Sequence, residues 1–195
     1  MCARIRLSQE QRKEEILKAG MKLFKEKGFV YTTMEDIIKQ TTLSKGGVYY
    51  YYKNTIDILH DLMLAGIMYR MNVIKSTVNL AEKCDELSFM AEKMVEKIVD
   101  DNPYMDIYVQ FLLAKRTSNK LEELFIQLQQ KTLEEFQKEM TNLPKVFNAK
   151  NLYDFVTHYI NSLIIGAEVL NARDSFIENR KLLVEMTKII LKGET

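Results

Sequence analysis

Cysteine is nearly missing from this 195-residue sequence: only Cys2 and Cys84 occur, too few for the disulfide framework of a small secreted fold or the ligand spacing of a structural zinc site. Proline is as scarce, with two residues, and seven glycines leave little punctuation for the repeated tight turns of a β-sandwich. Tryptophan is absent, and the two histidines, His60 and His158, lie far apart in sequence and suggest neither a metal site nor a catalytic pair. Long hydrophobic runs are missing too. The longest charge-free stretch, residues 155–167, has 13 residues, whereas a membrane-crossing helix takes about 20. Near the N-terminus Arg4, Arg6, Arg12 and Lys13 interrupt every short apolar run, so no secretory-signal pattern forms. The expectation is a soluble, cytoplasmic protein that folds in a reducing compartment without metal or cofactor. No phosphate-cradling glycine loop, nucleophile–base–orienter set or metal-ligand spacing is present, so nothing in the sequence indicates an enzyme.

What is plentiful points to helices. Hydrophobic residues make up 47% of the chain, enough for a substantial core in one domain or two closely packed ones, and the good helix formers Leu, Lys, Glu and Met dominate. The expected fold class is all-α. The net charge of +1 conceals a division at Lys53: residues 1–53 carry 11 Lys/Arg against 6 Asp/Glu, and residues 54–195 carry 17 against 21. A basic segment joined to an acidic remainder suggests a polyanionic partner for the first, although charge alone is equally compatible with a solvated surface of lysines.

Local signals divide the N-terminal segment into short helices. Ser8 with Gln11 forms a capping box, so a helix should begin at Gln9; Ile16, Ala19, Leu23 and Phe24 recur at helical spacing, and Gly28 provides the left-handed residue that ends it. Thr33 with Asp36 opens a second helix of barely two turns, ending near Thr41. Thr42-Leu43 makes a tight turn, Ser44 caps a third helix carrying Lys45 to Tyr52, and Asn54 with Asp57 caps a fourth. Short helices separated by a three-to-four-residue turn are the pattern of a helix-turn-helix.

The residues that carry this pattern also resemble a known family. Gly28-Phe29, Thr32-Thr33-Met34-Glu35-Asp36-Ile37 and Leu43-Ser44-Lys45-Gly46-Gly47-Val48-Tyr49-Tyr50-Tyr51-Tyr52-Lys53 are similar to the DNA-binding domain of the TetR family, over residues 9 to about 60. Two positions depart from it: Gly47 stands where the family has a small hydroxyl residue or alanine, and Thr55 where it often has lysine. Glycine at 47 beside Gly46 lowers helix propensity by roughly 1 kcal/mol each relative to alanine, so α-helix at the start of this segment should be loose in the absence of DNA.

The resemblance implies a sequence-specific transcriptional regulator, a homodimeric repressor released from double-stranded operator DNA by a small-molecule effector. Its DNA-binding residues would be Thr32, Thr33, Lys45, Gly46, Gly47, Tyr49, Tyr50 and Lys53. Tyr49 would meet a phosphate, Tyr50 base edges, and Lys45 and Lys53 phosphates at either end. Arg4 and Arg6 form an arm able to reach backbone or minor groove. Val48 and Tyr52, at i and i+4, should pack inward on Leu23, Phe24 and Ile37. An aromatic stripe is more often packing than chemistry, a reading that suits Tyr51 and Tyr52 better than Tyr49 and Tyr50.

Residues 1–53 are thus expected to form the DNA-binding domain and 54–195 a helical effector-binding and dimerisation domain. A long helix runs from Asn54 with Ile56, Leu59, Met63, Ile67, Met71, Ile74 and Val78 on one stripe, followed by helices near 86–99, 103–114 and 121–140. Asn151 with Asp154 should cap another, and residues 176–192 a last one with Leu182, Leu183, Met186, Ile189 and Ile190 on one side. The charge-free run 155–167 must be covered on more than one face, and by resemblance the last two long helices pair with their counterparts in a dimer. The pocket, also by resemblance, would draw on Met71, Tyr104, Tyr108, Phe111, Phe125, Phe155, His158 and Tyr159, with Asn161 and Gln110 as further polar handles. Each of these side chains taken singly is more often an ordinary core residue than a pocket wall. The competing function is a helical interaction module whose basic segment meets an acidic protein or a membrane surface.

Overall fold

The computed structural model describes residues 8–77, 85–139 and 150–193, and among these the regular structure is entirely helical. The elements are α1 (Gln9–Lys27), α2 (Met34–Lys39), α3 (Lys45–Tyr51), α4 (Thr55–Lys75), α5 (Glu86–Val99), α6 (Met105–Ala114), a 3-10 turn (Lys115–Thr117), α7 (Asn119–Glu139), α8 (Lys150–Val169), α9 (Arg173–Glu178) and α10 (Arg180–Lys192). The expected arm residues Arg4 and Arg6, and Val78 at the end of the long stripe, lie outside the described residues.

Side-chain caps explain why the helices start where they do. Ser8 Oγ accepts from the Gln11 N–H at 3.2 Å, and Gln11 Oε1 accepts from the Ser8 N–H at 2.8 Å. Thr33 and Asp36 repeat that exchange at α2, and Ser44 Oγ accepts from the Gly47 N–H at α3. Asn54 Oδ1 receives the N–H groups of Ile56 and Asp57, while the Asp57 carboxylate reaches back to the Lys53 N–H at 2.8 Å. Gly28 ends α1 at φ +92°, a conformation that side-chain-bearing residues rarely adopt.

Three expected boundaries shift. Asn151 does not cap α8, because the helix already includes Lys150 and Asn151 lies inside its first turn. The 103–114 helix begins at Met105, since Asn102 Oδ1 and the Asn102 carbonyl take the N–H groups of Tyr104 and Met105 and hold Pro103 in the preceding turn. The single final helix is two, divided at Asn179, whose side-chain Nδ2 donates to the Ser175 carbonyl and competes with the backbone ladder.

The chain forms two compact units. Unit one gathers residues 1–66 and 106–126, so the boundary expected at Lys53 falls inside it. In this unit α1 packs on α2 and α2 on α3, around Ile16, Phe24, Ile37, Val48, Ile58, Leu59, Ile107 and Phe111, all fully buried. Phe24 and Phe29 meet edge to face at 5.2 Å across the end of α1.

Unit two comprises residues 67–105 and 127–195, and there α5 packs against α8, α9 and α10. Its core includes Met90, Val95, Ile98, Ile164 and Leu191. Buried Arg70 of α4 pairs with Asp100 at 2.7 Å and also donates to the Lys93 carbonyl, while Arg173 donates to the Val99 and Asp100 carbonyls at the end of α5. Burial, and then the charge of Arg70, pulls the nearby Lys97 ammonium down to about 8. Removing one partner of such a pair strands the other charge in a poor solvent. The expected outcome for Arg70→Met is a loss of about 3 kcal/mol of unfolding free energy in urea. A loss under about 1 kcal/mol would show that Asp100 finds compensation elsewhere.

Candidate nucleic-acid interface

Helix α3 has one face that must be buried, and its sequence supplies residues for it. Val48 and Tyr52, one turn apart, are completely or almost completely buried, as the periodicity requires. Tyr52 needs more than an apolar niche because it carries a hydroxyl, which donates to Asp61 Oδ2 of α4 at 2.8 Å. Lys13 of α1 reaches the same carboxylate oxygen at 3.4 Å and lies 5.6 Å from the Tyr52 ring centroid, and His60 Nδ1 sits 3.1 Å from the other oxygen. Burial pushes the Asp61 carboxyl up, but hydrogen bonds from Tyr52, His60 and Lys13 outweigh it, so the group stays below the ordinary carboxylate value. The Tyr52 phenol moves well above its ordinary value, through burial first and its Asp61 partner second. Asp61 thereby ties the end of α3 to α1 and α4.

The turn between α2 and α3 is fixed from α1 as well. The Glu15 carboxylate accepts from the Thr42 N–H at 2.5 Å. At the other end of α2, Asp36 Oδ2 accepts from the Thr33 N–H, the Thr33 hydroxyl and Lys27 Nζ. The Lys27 ammonium, followed by the two Thr33 bonds, holds the Asp36 carboxyl well below the usual carboxylate range.

With its inner face anchored, α3 turns the rest outward. Tyr50 is 71% exposed, its ring edge-on to Tyr51 at 5.0 Å. Tyr49 is half-buried, and Tyr51, expected to pack, is half-buried beside Tyr50. The Lys45 side chain is 68% exposed, near Glu35 at 3.7 Å and 6.0 Å from the Tyr49 ring centroid. Lys53 is exposed and donates from Nζ to the Tyr49 carbonyl at 2.7 Å, covering the helix C-terminus. A loose surface pair such as Lys45–Glu35 contributes little to stability and leaves the ammonium available to another anion. Gly46 is exposed, and a Cβ there would meet nothing within 4 Å; at Gly47 a Cβ would meet only Ser44 Oγ at 3.4 Å and Leu43 Cβ at 3.6 Å.

Among the expected DNA-binding residues, Thr32 is placed differently. It is buried, and its hydroxyl donates to the Gly28 carbonyl at 2.8 Å while its N–H donates to Phe29. Neither donor is free for a phosphate, because both close the reversal after α1. Thr33 remains exposed, but its hydroxyl is occupied in the cap. An outward group of lysines and an aromatic side chain on a short helix, braced by two others, is an arrangement suited to a nucleic-acid groove.

Residues 16–62 match the family model of the bacterial regulatory proteins of the tetR family. Over that segment the chain is similar to the bacterial regulators of the tetR family. Across 58 residues it is 38% identical to the HTH-type transcriptional regulator YfiR of Bacillus subtilis, a match spanning 30% of this chain and only 28% of YfiR. Over 164 residues, 84% of each chain, it is 24% identical to the Staphylococcus epidermidis biofilm operon icaADBC HTH-type negative transcriptional regulator IcaR. The fold of the chain is similar to that of a TetR-family regulator from Syntrophomonas wolfei, with TM-score 0.70, 19% identity and coverage of 96% and 98%. It is also similar to Salmonella enterica GusR, with TM-score 0.66, 14% identity and coverage of 96% and 97%.

The residues expected to line a pocket are distributed over both units. Met71 is buried, and Tyr104 and Tyr159 half-buried, in unit two; Tyr108, half-buried, and Phe111 and Phe125, buried, belong to unit one, where Phe111 lies 6.2 Å from Phe125. Phe155 and His158 are exposed on α8. Gln110 is committed to backbone groups of unit one, Phe24 and Phe29. The roles of Asp61, Glu15 and Gln110 had no local sequence signal, since their partners lie 9, 27 and more than 80 residues away.

The glycine pair generates a test that does not involve DNA. Because the Gly46 position has open space, Gly46→Ala should raise the unfolding free energy by up to about 1 kcal/mol. A urea midpoint that stays put or falls would contradict the view that the start of α3 is held back by its own backbone freedom.

Proposed function

We propose that this chain is a homodimeric, cytoplasmic repressor that binds operator DNA through residues 1–53 and is released by a small-molecule effector bound in residues 54–195. The observation that carries the DNA part is the sidedness of α3: Val48 and Tyr52 are buried while Tyr50, Lys45 and Lys53 face outward. Lys45 and Lys53 neutralise phosphates, Tyr49 hydrogen-bonds the backbone, and Tyr50 meets base edges in the major groove. Thr33 and the bare backbone at Gly46 and Gly47 add further contacts to the DNA. The name of IcaR, a negative regulator, favours repression over activation.

The dimer is supported by apolar side chains that unit two leaves uncovered. Leu182, Met186 and Ile189 recur at i, i+4 and i+7 on α10 and are all exposed, and Phe155, Val169 and Leu170 are exposed on and just after α8. A row of exposed apolar side chains such as that on α10 favours burial against a second copy. Two copies also place two α3 helices on one duplex, which a single short helix needs for useful affinity. For the effector, Met71, Tyr104 and Tyr159 are the unit-two candidates. The Tyr159 hydroxyl and Gln129 Nε2 are buried polar atoms with no protein partner among the described residues, and a bound polar molecule would satisfy such groups.

Fluorescence anisotropy with duplexes tiled across the DNA flanking the gene tests the reading. The full-length protein should bind one of them, more weakly as salt rises. For Lys45→Ala the slope of log K against log salt should shrink by roughly 0.9 per lost phosphate contact, hence about 2 for a dimer. An unchanged slope would remove Lys45 from the interface, and no binding at low salt by a folded dimer would refute the regulator itself.

A further inference from the structure

Gln110 lies on α6, yet its amide serves α1 and the connection that follows it. Nε2 donates to the Phe24 carbonyl at 2.9 Å, and Oε1 accepts from the Phe29 N–H at 2.6 Å. One side chain therefore closes on both sides of the Gly28 reversal. The Phe24 carbonyl also receives the Gly28 N–H at 3.1 Å, but the buried Phe29 N–H has no other acceptor among the described residues. The reversal leads directly through Thr32, whose hydroxyl is held by the Gly28 carbonyl, to Thr33, the residue that caps α2. Helix α2 in turn packs on α3. The partner that fixes this corner comes from more than 80 residues further along the chain, and nothing in residues 8–66 duplicates it.

A glutamine suits the position because donation and acceptance must happen together. Glutamate, ionised, only accepts and would set a carboxylate oxygen against the Phe24 carbonyl; leucine, of similar size, does neither. The surroundings are built to hold the amide still: Ile107 and Phe111, three residues before it and one after, are fully buried in the same unit.

We propose that Gln110 is a positioning residue for DNA binding: segment 106–126 holds the α1–α2 corner through this amide, and so sets the placement of α2 and of the outward face of α3. The proposal rests on the DNA-binding reading above. A role confined to stability would lower the melting temperature and leave the DNA affinity of the folded protein unchanged. A positioning role lowers the affinity of protein that is still folded. It does so without altering the salt slope, because no phosphate contact is deleted.

The test uses full-length wild type, Gln110→Leu and Gln110→Glu with the tiled duplex that wild type binds, over a salt series, with melting followed by circular dichroism. Both variants should bind about tenfold more weakly at the same salt slope, a change equal to about 1.4 kcal/mol. Wild-type protein supplies an arm that does not depend on variants folding: hydrogen exchange at the Phe29 amide should slow when the duplex is added. Variants that are folded and bind like wild type, or a Phe29 amide indifferent to DNA, overturn the proposal alone. A wild type that binds none of the duplexes overturns the regulator reading, and this proposal with it.

Discussion

Val48 and Tyr52 are one helical turn apart and both are buried, and that single constraint sets the direction of everything else on α3. With its inner stripe occupied, the helix can only turn Lys45, Tyr50 and Lys53 to the surface. The anchoring is not purely apolar. Tyr52 brings a hydroxyl into the interior, and Asp61 meets it there with support from Lys13 and His60, so a polar group that would otherwise oppose burial instead fixes the helix to two neighbours. Glu15 performs the equivalent service for the turn, and Gln110 for the corner before α2. A helix of seven residues has little stability of its own; these side chains supply the tertiary support that such a short element requires.

The same arrangement accounts for the charge distribution. Lysines in residues 1–53 that take part in structure are tied to specific acids, as Lys27 is to Asp36 and Lys13 to Asp61. Lys45 has only a distant, exposed partner in Glu35, and Lys53 only a carbonyl. Both can change partners at little cost. In unit two, by contrast, the charges around Arg70, Asp100 and Arg173 are turned inward and join α4, α5 and the start of α9.

How much of this was legible in the sequence depended on distance along the chain. Capping residues act within three or four positions, so Ser8, Thr33, Ser44 and Asn54 marked helix starts that the structure reproduces, and Gly28 marked an end. The i, i+4 spacing was enough to turn Val48 and Tyr52 inward. Thr32 shows where local reasoning failed: a hydroxyl beside an N-cap looks available to a phosphate, but Gly28's reversed backbone brings a carbonyl within its reach. Asn151 failed for a similar reason, since α8 was already under way when the cap signal occurred. Gln110 read as a polar handle because its true partners, a carbonyl and an N–H, have no sequence signature. Exposed Leu182, Met186 and Ile189 read as one apolar stripe whether the covering surface is internal or a second copy, and only the structure shows them bare.

The central claim is that two outward-facing α3 helices meet one duplex together. Hydroxyl-radical footprinting of the full-length protein on the duplex it selects tests this directly. Protection in two patches on one side of the DNA, centred roughly 34 to 36 Å apart, is the predicted result. A single patch, or protection spread evenly along the duplex without preference, would contradict it.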